Sequence, residues 1–140
     1  LVKVYGEFLL FDPGVSERAS PFSFMGPKRF QPTPISIAEL PNIAKVFISH
    51  NHYDHLDKAA IKQLVDKTDS FYVPLGVEND LKKWGVDEKK VHSFDWWQEQ
   101  NMANSQMVFT PTQHFSGRGL TDGNKTLWGS WAIKVNDKRF

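Results

Sequence analysis

Three histidines and an aspartate fall within six residues, His50, His52, Asp54 and His55, in the spacing H-x-H-x-D-H. Neutral imidazoles and a carboxylate are the ligands that Zn²⁺ takes when no thiolate is offered. In an extended segment His50 and His52 project to the same side, so both reach one ion. Asp54 and His55 follow the bend and point toward a second ion nearby. A lone histidine would read more simply as a solvated or capping side chain. A cluster of this density at the end of an apolar strand reverses that preference.

His114 is the next donor. It directly follows an apolar run, Met107 to Thr112, and so belongs at a strand end, where loops carry function. A third nitrogen is what the His50–His52 pair lacks. His92 lies inside a short strand with no acidic or histidine neighbour and reads as structural. Asp57 either caps the following helix or orients a ligand from behind, capping being the simpler role. Tyr53, Trp96, Trp97, Trp128 and Trp131 read as core or cleft lining, and Lys82-Lys83 and Lys89-Lys90 as solvated faces.

The elements that must place these groups are legible in outline. Leu1–Tyr5 and Phe8–Phe11 form a hairpin with Gly6-Glu7 at a II′ turn, ended by Asp12-Pro13-Gly14. Ser16 to Pro41 is irregular, since Pro21, Pro27, Pro32, Pro34 and Pro41 block a helix. A loop of this length is either functional or a surface wrap held by Phe22, Phe24, Met25 and Phe30. Ala44–Ser49 is an apolar strand leading straight into the histidines. The spacing predicts helices over Lys58–Lys67 and Val77–Trp84, with Gly85 as a left-handed C-cap. Further strands are expected at Phe71–Pro74, Val91–Phe94, Met107–Thr112 and Leu127–Val135, with another starting at Lys138. Alternating strands and helices flanked by hairpins give an α/β fold with mixed sheets.

Composition narrows the function. The 140 residues contain no cysteine, which excludes disulfides, iron–sulfur clusters and thiolate zinc fingers within this chain. With 17 basic and 16 acidic side chains the net charge is +1, which gives no electrostatic footprint for nucleic acid as a partner. No apolar run approaches the ~18 residues of a membrane span.

The H-x-H-x-D-H cluster at a strand–helix junction resembles the metallo-β-lactamase fold superfamily. Arg18-Ala19-Ser20-Pro21, Gly26-Pro27-Lys28-Arg29-Phe30, Ile48 to Asp57, Val73-Pro74-Leu75-Gly76, Asp95-Trp96-Trp97, Thr110 to His114 and Asp122 to Trp131 narrow it further. Together, over about Phe11 to Val135, they look like the N-acyl-phosphatidylethanolamine-hydrolysing phospholipase D branch and its bacterial relatives. The resemblance implies an αββα sandwich with a two-zinc site in a cleft at one edge of the sheets. His50, His52 and His114 match the ligands of one ion, and Asp54 and His55 those of the other. The Asp54–His55 pair is also the expected catalytic pair.

In that family a bridging aspartate and a last histidine come later in the fold. Residues 1–140 therefore read as the N-terminal part of a single hydrolase domain. The implied activity is zinc-dependent phosphodiester hydrolysis of phospholipase D type on N-acyl-phosphatidylethanolamine-like lipids, with water activated between two ions. Other phosphodiesters, esters or lactones, or a metal-binding scaffold without catalysis, are the alternatives. Peripheral membrane contact through the aromatic segment Phe22–Phe30 or the region of Phe115 fits a lipid substrate.

Overall fold

A computed structural model describes residues 1–22 and 24–140; Ser23, inside the aromatic segment singled out above, lies outside the described residues. The first sheet has the order β1 (Val2–Val4), β2 (Glu7–Phe11), β3 (Ile43–Phe47), β4 (Thr68–Pro74), β5 (Val91–Phe94). β1 and β2 pair antiparallel, and β2 through β5 run parallel. Parallel neighbours need crossovers: α1 (Lys58–Leu64) and α2 (Glu78–Lys83) supply those from β3 to β4 and from β4 to β5, and the long irregular loop supplies that from β2 to β3. The second sheet is antiparallel throughout, in the order β6 (Glu99–Met102), β7 (Ser105–Thr110), β8 (Ser130–Val135), β9 (Lys138–Arg139).

Strand alternation sorts the core into two layers. Leu10, Val46, Phe71 and Val73 face the helices and pack on Ala60, Ile61, Leu64 and Leu81. Leu9, Phe47, Tyr72 and Phe94 point the other way and meet Met107, Phe109 and Ile133 of the second sheet. The result is a helix–sheet–sheet stack, the mixed α/β arrangement the sequence predicts. Both α-helices lie on the outer face of the first sheet. Among the described residues no helix is long and apolar enough to cross a membrane.

Several boundaries differ from the sequence reading, each for a local reason. The first hairpin turns at Tyr5-Gly6, both in the left-handed region (φ 47 and 86), which makes it type I′ rather than II′. β8 begins at Ser130, not Leu127, because the Leu127 and Gly129 amides bond instead to Leu75 O and Ser49 O. The first helix tightens into a 3₁₀ turn over Val65–Lys67. β6 went unread because Glu99-Gln100-Asn101-Met102 has little strand propensity and forms by pairing with β7. Among its described residues, segment 16–41 has no strand or helix and carries one isolated bridge, Arg18 to Lys28.

Asp57 is the N-cap of α1 and does more than cap it. One carboxylate oxygen accepts from the Ala59 and Ala60 amides, the other from Val15 and Ser16 at the base of the long loop. A helix start and a distant loop thus share one buried carboxylate. Asp57→Ala loses the cap, worth about 1 kcal/mol, and strands two further part-buried donors at about 1 kcal/mol or more each. We expect a total near 3 kcal/mol, read as a lower urea midpoint at unchanged slope.

Candidate metal centre

The histidines sit beyond the carboxyl end of β3, beside the parallel end of β2, the edge at which open α/β sheets bind ligands. The segment that leaves β3 is held on both sides. Ile48 N donates to Tyr72 O, the Trp131 indole donates to Ile48 O at 2.8 Å, and Gly129 N donates to Ser49 O at 3.0 Å. A methyl group at Gly129 would lie 2.4 Å from Thr110 O, so this close approach requires glycine. Gly14 is equally confined, its hypothetical Cβ falling 1.8 Å from Asp54 O.

A second loop grips the same segment. Gly117 N donates to the side-chain oxygen of buried Asn51 at 2.7 Å, and one Arg118 nitrogen donates to both Asn51 O and Leu56 O at 2.7 Å. The Arg118 guanidinium lies over the Tyr53 ring at 4.0 Å, while the Tyr53 hydroxyl donates to Arg118 O. These bonds fasten the His114 loop to the His50–His55 turn, 60 residues apart in sequence.

His50, His52 and His114 come together: one nitrogen from each lies within 4.8 Å of the others. His50 Nε2 and His114 Nε2 are 3.0 Å apart. Two imidazoles on one tetrahedral zinc, with Zn–N near 2.0–2.1 Å, would show about 3.3 Å between nitrogens. The set fits such an ion. His55 stands next to it, its ring 4.1 Å from that of His50. Asp54 Oδ2 and His55 Nε2 are 3.5 Å apart, outside the set of three histidines whose nitrogens cluster. His92 stacks on Tyr72 within the sheet and takes no part.

Asp12, read from the sequence only as a strand terminator, proves central. Its backbone amide continues the ladder to Phe47 O, and a left-handed conformation (φ 41) then turns its carboxylate back onto the turn. Asp12 accepts from Ser49 N at 2.7 Å, Ser49 Oγ at 2.7 Å and His55 Nδ1 at 3.0 Å. Ser49 Oγ, having given its proton to Asp12, accepts from His50 Nδ1 at 2.8 Å. Both histidines therefore carry their protons on Nδ1 and turn bare Nε2 lone pairs toward the site. No local signal marks this role; it depends on β2 lying beside β3.

For His50, charge agrees with that assignment. Burial first, then the neighbouring imidazoles of His55, His52 and His114, pull the pKa of His50 from 6.5 to about 4, so it is neutral at pH 7. Burial and His114 lower His52 as well. His55 moves up, through its hydrogen bond to Asp12 against the opposing effect of burial.

A mixed sheet with helices on one face, a second sheet on the other and a histidine cluster at the strand ends define a metallo-β-lactamase-type fold. The family model described as the beta-lactamase superfamily domain matches residues 8–140, and the chain belongs to that family. An uncharacterized protein of Mycobacterium tuberculosis is 43% identical over 134 residues, covering 95% of this chain and 36% of the relative. N-acyl-phosphatidylethanolamine-hydrolyzing phospholipase D 1 of Caenorhabditis elegans is 34% identical over 149 residues, covering 100% of this chain and 42% of the relative. The chain thus spans well under half the length of these curated relatives.

Among solved structures, the isothiocyanate hydrolase from Delia radicum gut bacteria aligns with TM-score 0.69 at 16% identity, over 96% of this chain and 54% of that one. CmlA, a diiron beta-hydroxylase from Streptomyces venezuelae, aligns at 0.66 and 18%, over 96% of this chain and 25% of that one. At such identities these two establish the fold alone. Metal binding is consistent with the family and with the His50–His52–His114 cluster.

Proposed function

We propose that this chain supplies the zinc-binding part of a phosphodiesterase of phospholipase D type, acting on N-acyl-phosphatidylethanolamine-like lipids. The observation that carries the reading is the convergence of His50, His52 and His114, with His50 kept neutral and Nε2-facing. The worm phospholipase D relative, similar over the whole chain, supplies the substrate class. His50, His52 and His114 would hold one ion, and Asp54 and His55 the second. Bound there, the ions would supply Lewis-acid polarisation of a phosphoryl oxygen and a water acidified toward neutrality.

The chain's own groups do the positioning. Ser49 and Asp12 hold the Nδ1 protons of His50 and His55, which fixes both rings. Asp54, largely exposed, is reachable by water or a phosphodiester oxygen arriving from solvent. Phe115 lies edge-on against His52 at 4.7 Å and against His114 at 5.1 Å, yet remains exposed. It offers an apolar wall beside the clustered histidines, which an acyl chain could line.

The full-length protein should retain zinc after gel filtration and release N-acylethanolamine from N-palmitoyl-phosphatidylethanolamine. Turnover should exceed that of bis(p-nitrophenyl) phosphate by at least about tenfold, because apolar contacts worth 1.4 kcal/mol or more separate the two. Zinc-loaded protein that leaves both diesters intact, as followed by mass spectrometry, would overturn the reading.

A further inference from the structure

One nitrogen atom closes the histidine-bearing turn across its two ends. Within the turn, His52 O accepts from both His55 N and Leu56 N, at 3.1 and 2.7 Å. That pairing fixes the middle of the bend. Arg118 Nη1 holds the ends, donating to Asn51 O and to Leu56 O, each at 2.7 Å. His52, Asp54 and His55 all lie between those two carbonyls. A charged donor makes shorter and stronger bonds than a neutral one. Spreading the bend would therefore break a charge-assisted bond at one end or the other.

Arg118 is itself held from several sides. Its amide and that of Gly119 donate to the Asp122 carboxylate, at 3.0 and 2.7 Å, and its carbonyl accepts from the Tyr53 hydroxyl at 3.0 Å. The guanidinium lies 4.0 Å from the centre of the Tyr53 ring and 5.3 Å from that of Trp84. His114 stands four residues upstream, and the intervening Gly117 amide donates to the side chain of buried Asn51. One residue thus sets two distances. The first is the width of the bend that carries His52, Asp54 and His55; the second is the approach of His114 to that bend. Both bonds of Nη1 go to backbone carbonyls rather than to a histidine ring, so its influence on the histidines runs through the shape of the turn.

We propose that Arg118 is a positioning residue of the metal centre: it cinches the bend and docks His114, so that the fold itself holds His50, His52 and His114 at ligand spacing. The proposal rests on the reading of these three histidines as ligands. Supporting groups of this kind set the precision of a site. The two contributions of the side chain are separable. A single nitrogen makes both carbonyl bonds, a task within reach of a lysine ammonium with its three donors. Lysine cannot reproduce the planar stack on Tyr53 and Trp84. The carbonyl bonds do the positioning; the stack adds stability.

The test uses the full-length protein, zinc titrations against a fluorescent chelator, and amide hydrogen exchange after chelator treatment. Arg118→Met keeps an apolar stem and cannot donate. It should lower zinc affinity about 10–100-fold, and without metal its Gly117 amide should exchange at least about tenfold faster than in wild type. Arg118→Lys should recover most of both losses, to within about threefold of wild type. Trp84→Leu trims the stack alone, so its melting temperature should fall while zinc affinity stays within about twofold. Equal zinc affinity in wild type and Arg118→Met would overturn the proposal. So would an Arg118→Lys as weak as Arg118→Met, or a Trp84→Leu that loses zinc in step with stability. If wild type binds no zinc, the ligand reading fails and the exchange measurement decides alone. Faster Gly117 exchange in Arg118→Met, restored by Arg118→Lys, would then uphold Arg118 as the clamp of the bend, and unchanged exchange would overturn it.

Discussion

His50→Ala should abolish tight metal binding. His50 is the hub of the cluster: the rings of His52, His55 and His114 lie 4.6, 4.1 and 4.5 Å from its own. Without it, His52 and His114 remain as two donors for an ion that needs at least three from protein. Zinc affinity in the full-length protein should fall by more than the 10–100-fold typical of losing an outer partner, as competition with a fluorescent chelator would measure, and any hydrolysis under the proposed function should fall with it. A second signature separates this from simple misfolding. In the metal-free wild type, the unfolded chain takes a proton on His50 near pH 6.5, whereas the folded chain resists until about pH 4. Between those values the unfolded state binds more protons, so wild-type stability declines as pH falls. His55, whose pKa is raised by Asp12, has the opposite sign: its contribution is complete below the unfolded value and fades as pH rises through the folded one. His50→Ala removes the first dependence and leaves the second. Its melting temperature should lie below that of wild type at pH 7.5 and close most of that gap by pH 4.5. A gap constant across this range would contradict the buried, neutral state of His50.

What the sequence makes legible follows from how local each feature is. H-x-H-x-D-H is contiguous, so chemistry and spacing declare themselves without knowledge of the fold. His114 could be placed because a strand ends just before it, and Asp57 because a cap acts within three residues. Asp12 bonds to residues 37 and 43 positions away, through β2 and β3 pairing in parallel, and no window along the chain contains both partners. Arg118 is the same case: its bonds to Asn51 and Leu56 exist only after two loops have been folded together. The elements fared likewise. Runs with their own propensity, such as Val91–Phe94, appear where expected, whereas β6 exists only because β7 offers it a ladder. Tyr5 takes a left-handed conformation that its side chain disfavours, because the twist of the hairpin selects it. The clustered histidines were readable in the sequence; the groups that orient them were not.

Asp12→Asn should be more damaging than its near-identical shape suggests, because neither orientation of the amide can replace the carboxylate. Asp12 Oδ1 accepts from Ser49 N, and Oδ2 accepts from both Ser49 Oγ and His55 Nδ1. If the asparagine oxygen takes the Oδ2 position, its NH₂ group faces the Ser49 amide, donor against donor. If the amide flips, NH₂ meets Ser49 Oγ and His55 Nδ1, both of which must then accept. His55 would move its proton to Nε2, the atom aimed at the ion. Ser49, turned around, would donate to His50 Nδ1 and drive that proton to Nε2 as well. In that orientation one substitution outside the proposed ligand set puts protons on two Nε2 atoms that the proposed function assigns to metal. The expected loss is 10–100-fold in affinity for each of two metal equivalents, with far-UV circular dichroism unchanged. Ser49→Ala is the matched control, since it cuts only the arm to His50 and should weaken one equivalent while sparing the other. Two-site zinc titrations of the full-length protein distinguish the pair. Wild-type affinity in Asp12→Asn, or equal damage to both equivalents in Ser49→Ala, would show that the histidine tautomers are set by something other than this carboxylate.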